Sequence, residues 1–205
     1  MLRHPPLRRS RGSAFPGTGS SGFRGQNGDM QPQPNTVVVR AVDRAAGGAV
    51  DRMRVDWTAV SGLLRDYHLQ TEHEKAQHGV APGGSELPAR YQAEIDDPAS
   101  AFAGAEVVVA DGEDGPVGMV VLQAADGDVE LKRLWVAPAG RRRGVAAALM
   151  SHAREHAERS VAGGLRLSVW DWRADALGLY RSQGFVVVPS WESRERLVCL
   201  RHPVR

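Results

Sequence analysis

Arg141-Arg142-Arg143-Gly144, followed by Val145 and Ala146, stands where two different residue patterns meet. On its N-terminal side Val129, Leu131, Leu134 and Val136 form a short apolar-rich run, closed by Pro138, which cannot continue a strand ladder. On its C-terminal side Val145, Leu149 and Ala153 recur at four-residue spacing, and Ala146 and Ala148 keep that face small. A strand feeding a helix through such a turn aims unpaired backbone N–H groups and the positive end of the helix dipole at one point. That is an anion site, suited to a pyrophosphate, with three arginines adding charge. Gly144 lets the ligand come close to the backbone. No G-x-G-x-x-G follows the strand, and G-x-x-x-x-G-K-[ST] occurs nowhere, which excludes the dinucleotide and P-loop versions of this device. Glu130 is the second residue of interest. Strict alternation along 129–136 puts Glu130, Lys132 and Leu134 on one face and Leu131, Arg133 and Trp135 on the other. A carboxylate on a central strand is costly unless it meets a polar cleft, which argues for a site. Were the strand to begin at Glu130, the residue would be a solvated edge.

The elements that must hold these residues follow from pattern and punctuation. Thr36–Val42 reads as a β-branched strand, and Asp56 can cap a helix running to about Ala76 with Val60, Leu63, Leu64 and Tyr67 on its apolar face. His78–Pro88, with its glycines and prolines, reads as a loop, and Ala89–Ile95 as a short helix. Glu106–Ala110 and Val117–Gln123 read as strands joined by a Gly/Asp-rich turn, and Asp126-Gly127 turns into strand 129–136. After the long helix come a strand at Leu165–Trp170, a helix at Ala174–Ser182, and a closing strand pair at Phe185–Val188 and Glu195–Arg201. The helix crossover between strands 129–136 and 165–170 requires them to run parallel.

The turn, its flanks ELKRLWVAP and the alanine-rich helix, and ALGLYRSQGF about thirty residues later together resemble the GNAT superfamily of N-acetyltransferases. The family's acyl-CoA-binding signature, [QR]-x-x-G-x-[GA], is met by Arg141, Gly144 and Ala146, and its later Leu-Tyr-x-x-x-Gly-Phe landmark by Leu179 to Phe185. The resemblance runs more loosely from about Thr36 to His202. It implies an α/β (α+β) fold, a GNAT-type mixed twisted sheet of six to seven strands with helices on both faces. It also implies that strands 129–136 and 165–170 splay so that the pantetheine arm of acetyl-CoA enters between them. The cofactor-binding positions it implies are Leu134, Trp135 and Val136 through their backbone, and Arg141, Arg142, Arg143, Gly144, Val145 and Ala146 at the pyrophosphate. Tyr180, the tyrosine of the landmark, is implied as the general acid for the leaving thiolate, with core packing as its other reading. Reference pKa values near 10 and 8.5 make that proton transfer uphill by only about 2 kcal/mol. Glu130 is implied as the base, acting directly or through a water. One position departs from the pattern: where the family commonly has an Asn that helps hold the cofactor, this chain has Arg173, which could reach a CoA phosphate instead. The implied activity is transfer of acetyl from acetyl-CoA to a primary amine. A non-catalytic acyl-CoA-binding or regulatory module is the alternative, and Arg173 is the feature that favours it.

Composition narrows the rest. Lysine plus arginine number 26 against 24 acids. Within residues 1–35, Arg3, Arg8, Arg9, Arg11 and Arg24 face only Asp29, so much of the basic character belongs to a tail and argues for no nucleic-acid partner. That Arg/Gly/Pro/Ser-rich tail cannot bury enough surface to order itself, and Met30 offers an alternative start before a domain spanning 36–203. No apolar run reaches membrane-spanning length. Cys199, the single cysteine, excludes an intrachain disulfide and reads as a small buried residue. His152 and His156, at i and i+4, have zinc-binding spacing but no third ligand at motif spacing, so no metal is expected. His68, His73 and His78 border the acceptor side in this family, where one could serve as a base. The expectation is a cytoplasmic enzyme with a small-molecule rather than protein acceptor. Homodimerisation stays open, and the acceptor itself is not legible.

Overall fold

The computed structural model describes residues 37–41, 57–81 and 86–204. Seven strands form one sheet in the order β1-β2-β3-β4-β5-β7-β6. They are β1 (Val38–Ala41), β2 (Ala105–Gly112), β3 (Gly115–Ala125), β4 (Asp128–Val136), β5 (Gly164–Trp170), β6 (Val186–Val187) and β7 (Leu197–Pro203). Every pairing is antiparallel except β4 with β5, which the helical crossover makes parallel. The helices are α1 (Trp57–Gln77), α2 (Ala89–Asp96), α3 (Pro98–Ala101), α4 (Val145–Arg159) and α5 (Ala174–Ser182).

Alternation along β2 and β3 builds a core on each face of the sheet. Val108, Ala110, Val120 and Leu122 pack with Leu149, Met150 and Ala153 of α4 and with Leu177 and Tyr180 of α5. Val107, Val109, Met119 and Val121 pack on the other face with Val60, Leu63 and Leu64 of α1 and Ile95 of α2. Helices on both faces of a mixed seven-stranded sheet agree with the architecture expected from the sequence.

Two details depart from the expected elements. The four-residue α3 was not anticipated; Pro98 at its first turn and Asp97, whose side chain accepts from Ser100 N–H, make it. The closing strands are unequal, since β7 pairs with β5 along seven residues while β6 adds only two at the edge. The first strand is described only at Val38–Ala41. The Asp56 cap and the tail of residues 1–35 lie outside the described residues.

The departure that matters for function is in β4. Val121 pairs with Lys132 and Met119 with Trp135, so three steps along β4 oppose two along β3. The extra residue sits where Arg133 adopts a left-handed φ of 53°. The bulge reverses the face assignment made from strict alternation. Leu134 packs on the same core as Leu131, while Trp135 joins the α1-side core. Arg133 likewise turns to the α1 side, toward Glu94 of α2. A one-residue slip of this kind moves every later side chain to the opposite face.

Candidate active site

Strands β4 and β5 pair only at Val129↔Leu165 and Glu130↔Arg166. Beyond Glu130 they diverge, leaving one edge of β4 without a strand neighbour. A cleft of about 540 Å³ opens there. Its walls are β4 from Glu130 to Leu134, β5 from Leu167 to Trp170, the Tyr67–Thr71 turn of α1, Arg90 and Tyr91 of α2, and Tyr180 of α5. Residues Glu192–Arg194 and Leu197 close the remaining side.

Of the residues singled out from the sequence, Glu130, Leu134, Arg173 and Tyr180 line this cleft. The Glu130 side chain is 13% exposed, with Oε2 3.8 Å from Arg166 and 3.9 Å from Lys132. Because β4 begins at Asp128, Glu130 is internal to a central strand and not a solvated end. The buried ring of Tyr180 packs on Phe185 at 5.8 Å. Its hydroxyl donates to no group among the described residues. Burial drives the hydroxyl pKa above the ordinary 10, the Tyr67 hydroxyl adds to the rise and Arg173 opposes it. The group therefore holds its proton at any working pH.

Arg173 is bonded to α1. Its Nε donates to Glu74 at 2.6 Å and its Nη2 to Thr71 Oγ at 2.8 Å, both on α1. Trp172 Nε1 donates to the same Glu74 carboxylate at 3.2 Å. The C-terminal end of α1 is thus fastened to the β5–α5 connection. Trp170 and Trp172 stack at 4.7 Å, and Trp172 stacks on His78 at 4.3 Å; of the pair, Trp170 lines the cleft.

The turn expected from the sequence to receive a pyrophosphate lies beyond the far end of the same strand. Gly144 is the N-cap of α4 with a φ of 79°, a left-handed conformation that favours glycine, and no side chain caps the helix. The first-turn N–H groups are therefore left without intrahelical acceptors. A Cβ on Gly144 would meet open space, so its backbone conformation is what requires glycine, and the space above it is free for a ligand. Arg142 and Arg143 are exposed, while Arg141 folds back, donating to the Val136 carbonyl at 3.2 Å and lying 5.3 Å from the Trp135 ring centre. Val145 presses on β3 at Gly118, where a Cβ would come within 2.7 Å of it; that glycine seats the start of α4 and was not recognised from sequence.

Other groups were missed or left open. His68 is 1% exposed, its Nε2 lies 2.8 Å from Glu94, and its buried Nδ1 has no partner among the described residues. Burial lowers its pKa, against the opposing pull of Glu94, and keeps the imidazole neutral. Glu94 also receives Arg133 in a two-pronged contact at 2.7 and 2.6 Å. Burial pushes the Glu94 carboxyl up, but the hydrogen bonds from Arg133 and His68 outweigh it and bring the pKa down to about 2. The signal in the sequence was the stripe Leu64, His68, Thr71, a buried face continuing from apolar into polar residues. His152 and His156 hydrogen-bond the two oxygens of Glu106 at 2.8 and 3.1 Å. Among the described residues no group of three His, Cys, Asp or Glu side chains is arranged to hold a metal ion. Cys199 is buried, 3.4 Å from Ser190 Oγ. Among the described residues no helix is long and apolar enough to cross a membrane.

Comparison with known proteins agrees with this architecture. Residues 103–187, from just before β2 to β6, match the family model of the acetyltransferase (GNAT) domain. The fold is similar to that of a GNAT-family acetyltransferase from Staphylococcus aureus, with a TM-score of 0.59 at 13% identity, covering 83% of this chain and all of that one. It is also similar to the ribosomal-protein-S18-alanine N-acetyltransferase from Escherichia coli (TM-score 0.53, 15% identity, 82% of this chain and 94% of that one). A third similar structure is a GNAT acetyltransferase from Elizabethkingia anophelis with acetyl-CoA bound (TM-score 0.50, 16% identity, 82% and 97%). No curated protein matches the chain. The GNAT model lies over β2 to β6, and within that stretch a parallel β4–β5 pair opens above an uncapped helix, so this part of the chain is similar to the acetyltransferase (GNAT) domain.

Proposed function

We propose that the chain moves the acetyl group of acetyl-CoA to a primary amine by direct attack. The observation that carries this reading is the unpartnered edge of β4, which runs from Glu130 in the cleft to the uncapped N-terminus of α4. The two ends are what the donor needs: N–H groups and arginines for a pyrophosphate, and open backbone for pantetheine amides, taken up as an added strand would be. Acetyl-CoA, when bound, supplies the activated thioester. Leu134, Trp135 and Val136 offer their backbone along the arm, and Arg142, Arg143, Gly144, Val145 and Ala146 receive the phosphates. Arg141, already bonded to Val136 O, steadies the turn. In the cleft Glu130 accepts the amine proton, directly or through water, and Tyr180 gives its proton to the departing sulfur. Arg173 acts as a strut between α1 and α5 rather than as a phosphate ligand. The cleft volume suits a small-molecule acceptor, within the range of roughly 300–1,000 Å³ typical of such sites.

The test has two readouts, calorimetric titration with acetyl-CoA and release of free thiol across a panel of amines. Gly144→Val places a branched side chain at a left-handed φ, in the space meant for the pyrophosphate, so affinity should fall at least about tenfold, or about 1.4 kcal/mol. Undiminished affinity in a folded Gly144→Val protein moves the donor site elsewhere. Acetyl-CoA binding with no thiol release for any amine favours the non-catalytic module.

A further inference from the structure

Charge inside the cleft is lopsided. Arg90, Lys132, Arg133, Arg173 and Arg194 line it, against the carboxylates of Glu130 and Glu192. Most of these cations are already engaged. Arg133 is held by Glu94, Arg173 by Glu74, and Arg194 by Glu192 at 2.6 Å. Lys132 faces Glu130, which it shares with Arg166. Arg90 is the exception: among the described residues it has no carboxylate partner. Its guanidinium is nevertheless oriented. Nη2 donates to the Tyr91 hydroxyl at 2.9 Å, and the group lies 4.6 Å from the centre of the Tyr91 ring. Tyr91 is itself fixed, buried and stacked on His68 at 4.2 Å. An exposed guanidinium, steadied by a rigid aromatic and facing a cleft with surplus positive charge, is prepared for an anion that arrives with the substrate.

Resting on the acetyl-transfer reading, we infer that the acceptor is a small amine bearing a carboxylate, and that Arg90 binds that carboxylate. The donor's own phosphates do not satisfy Arg90, because their cradle at the start of α4 lies outside the cleft lining. A polycationic amine meets repulsion in the same cleft, whereas a carboxylate cancels the excess and leaves the amine free to approach Glu130.

The experiment compares amines that differ only in the carboxylate: lysine with 1,5-diaminopentane, phenylalanine with 2-phenylethylamine, serine with 2-aminoethanol. Each is titrated calorimetrically into the full chain saturated with CoA and assayed for thiol release from acetyl-CoA. The carboxylate-bearing member of at least one pair should bind at least about tenfold tighter. Arg90→Ala should reduce that preference to within about twofold, and Arg90→Lys, which keeps charge but not the fork, should fall between. Equal binding within every pair, a preference for the decarboxylated member, no binding of any probe, or a preference that survives Arg90→Ala each overturns the assignment. Loss of CoA binding itself strikes at the acetyl-transfer reading, so the two failures are told apart.

Discussion

Tyr180 and Glu130 carry opposite halves of the proposed proton traffic, and each can be removed without removing its neighbours' packing. Tyr180→Phe deletes one oxygen from a ring already buried against Phe185, so folding and acetyl-CoA affinity should persist. The maximal rate should fall by roughly 10²-fold, the usual scale for a single acid–base group. A rise in its pKa makes the hydroxyl a weaker acid in isolation, but the same apolar surroundings also raise the basicity of a departing thiolate. A near-native rate for Tyr180→Phe would return Tyr180 to the role of a core aromatic. Glu130→Gln should act differently, shifting the pH–rate profile so that the deficit shrinks at high pH, where free amine is abundant. A deficit independent of pH would mean that Glu130 does not handle the proton.

The wall formed by α1, α2 and the bulge of β4 is held by the Arg133–Glu94–His68 contacts, and this gives it a defined response to acid. Glu94 has a folded pKa of about 2, below the ordinary 4.5. Its stabilising contribution is therefore complete above pH 4.5 and is lost as the pH falls toward 2. His68, buried neutral, has its pKa lowered from 6.5; the unfolded chain takes up the proton first, so stability drops as the pH passes below 6.5. The two effects have the same sign. Denaturant titrations from pH 7 to pH 3 should show the wild type losing stability in two stages; Glu74, Glu106, Asp128 and Glu192 are lowered too, so in Glu94→Gln the later loss should be smaller. If Glu94→Gln and the wild type fall in parallel down to pH 3, the contacts do not stabilise this wall. Arg133 links the wall to catalysis, because its left-handed backbone is the bulge that carries Leu134 back to the α4-side core and leaves the open edge of β4 facing the cleft.

For the chain as a whole, residues 1–35 combine many arginines with almost no apolar content, and Met30 precedes the first strand. We expect a chain beginning at Met30 to keep the melting temperature and acetyl-CoA affinity of the full one; a drop of several degrees would show that the preceding residues pack. The order of elements, the parallel β4–β5 pair and the glycine turn into α4 were legible in the amino-acid order, because periodicity, proline stops and N-terminal turn geometry act over a few neighbouring residues. Glu130 stood out by its place on a strand, and Tyr180 only through the family resemblance. Their meeting in one cleft could not be read there, because it depends on how far β4 and β5 stay paired before they part. The bulge at Arg133 was hidden too, since one extra residue in a strand leaves no mark in composition yet reverses the face of all that follows. Arg173 illustrates the same limit: its type suggested a phosphate, and its bond to Glu74, 99 positions earlier, is set only by the folded chain. Arg90 is the converse case, an exposed arginine like many others until the folded chain pairs off every other cation around the cleft. Short-range preferences settle the elements, whereas partners distant in sequence settle which charges are spent and which remain for a ligand.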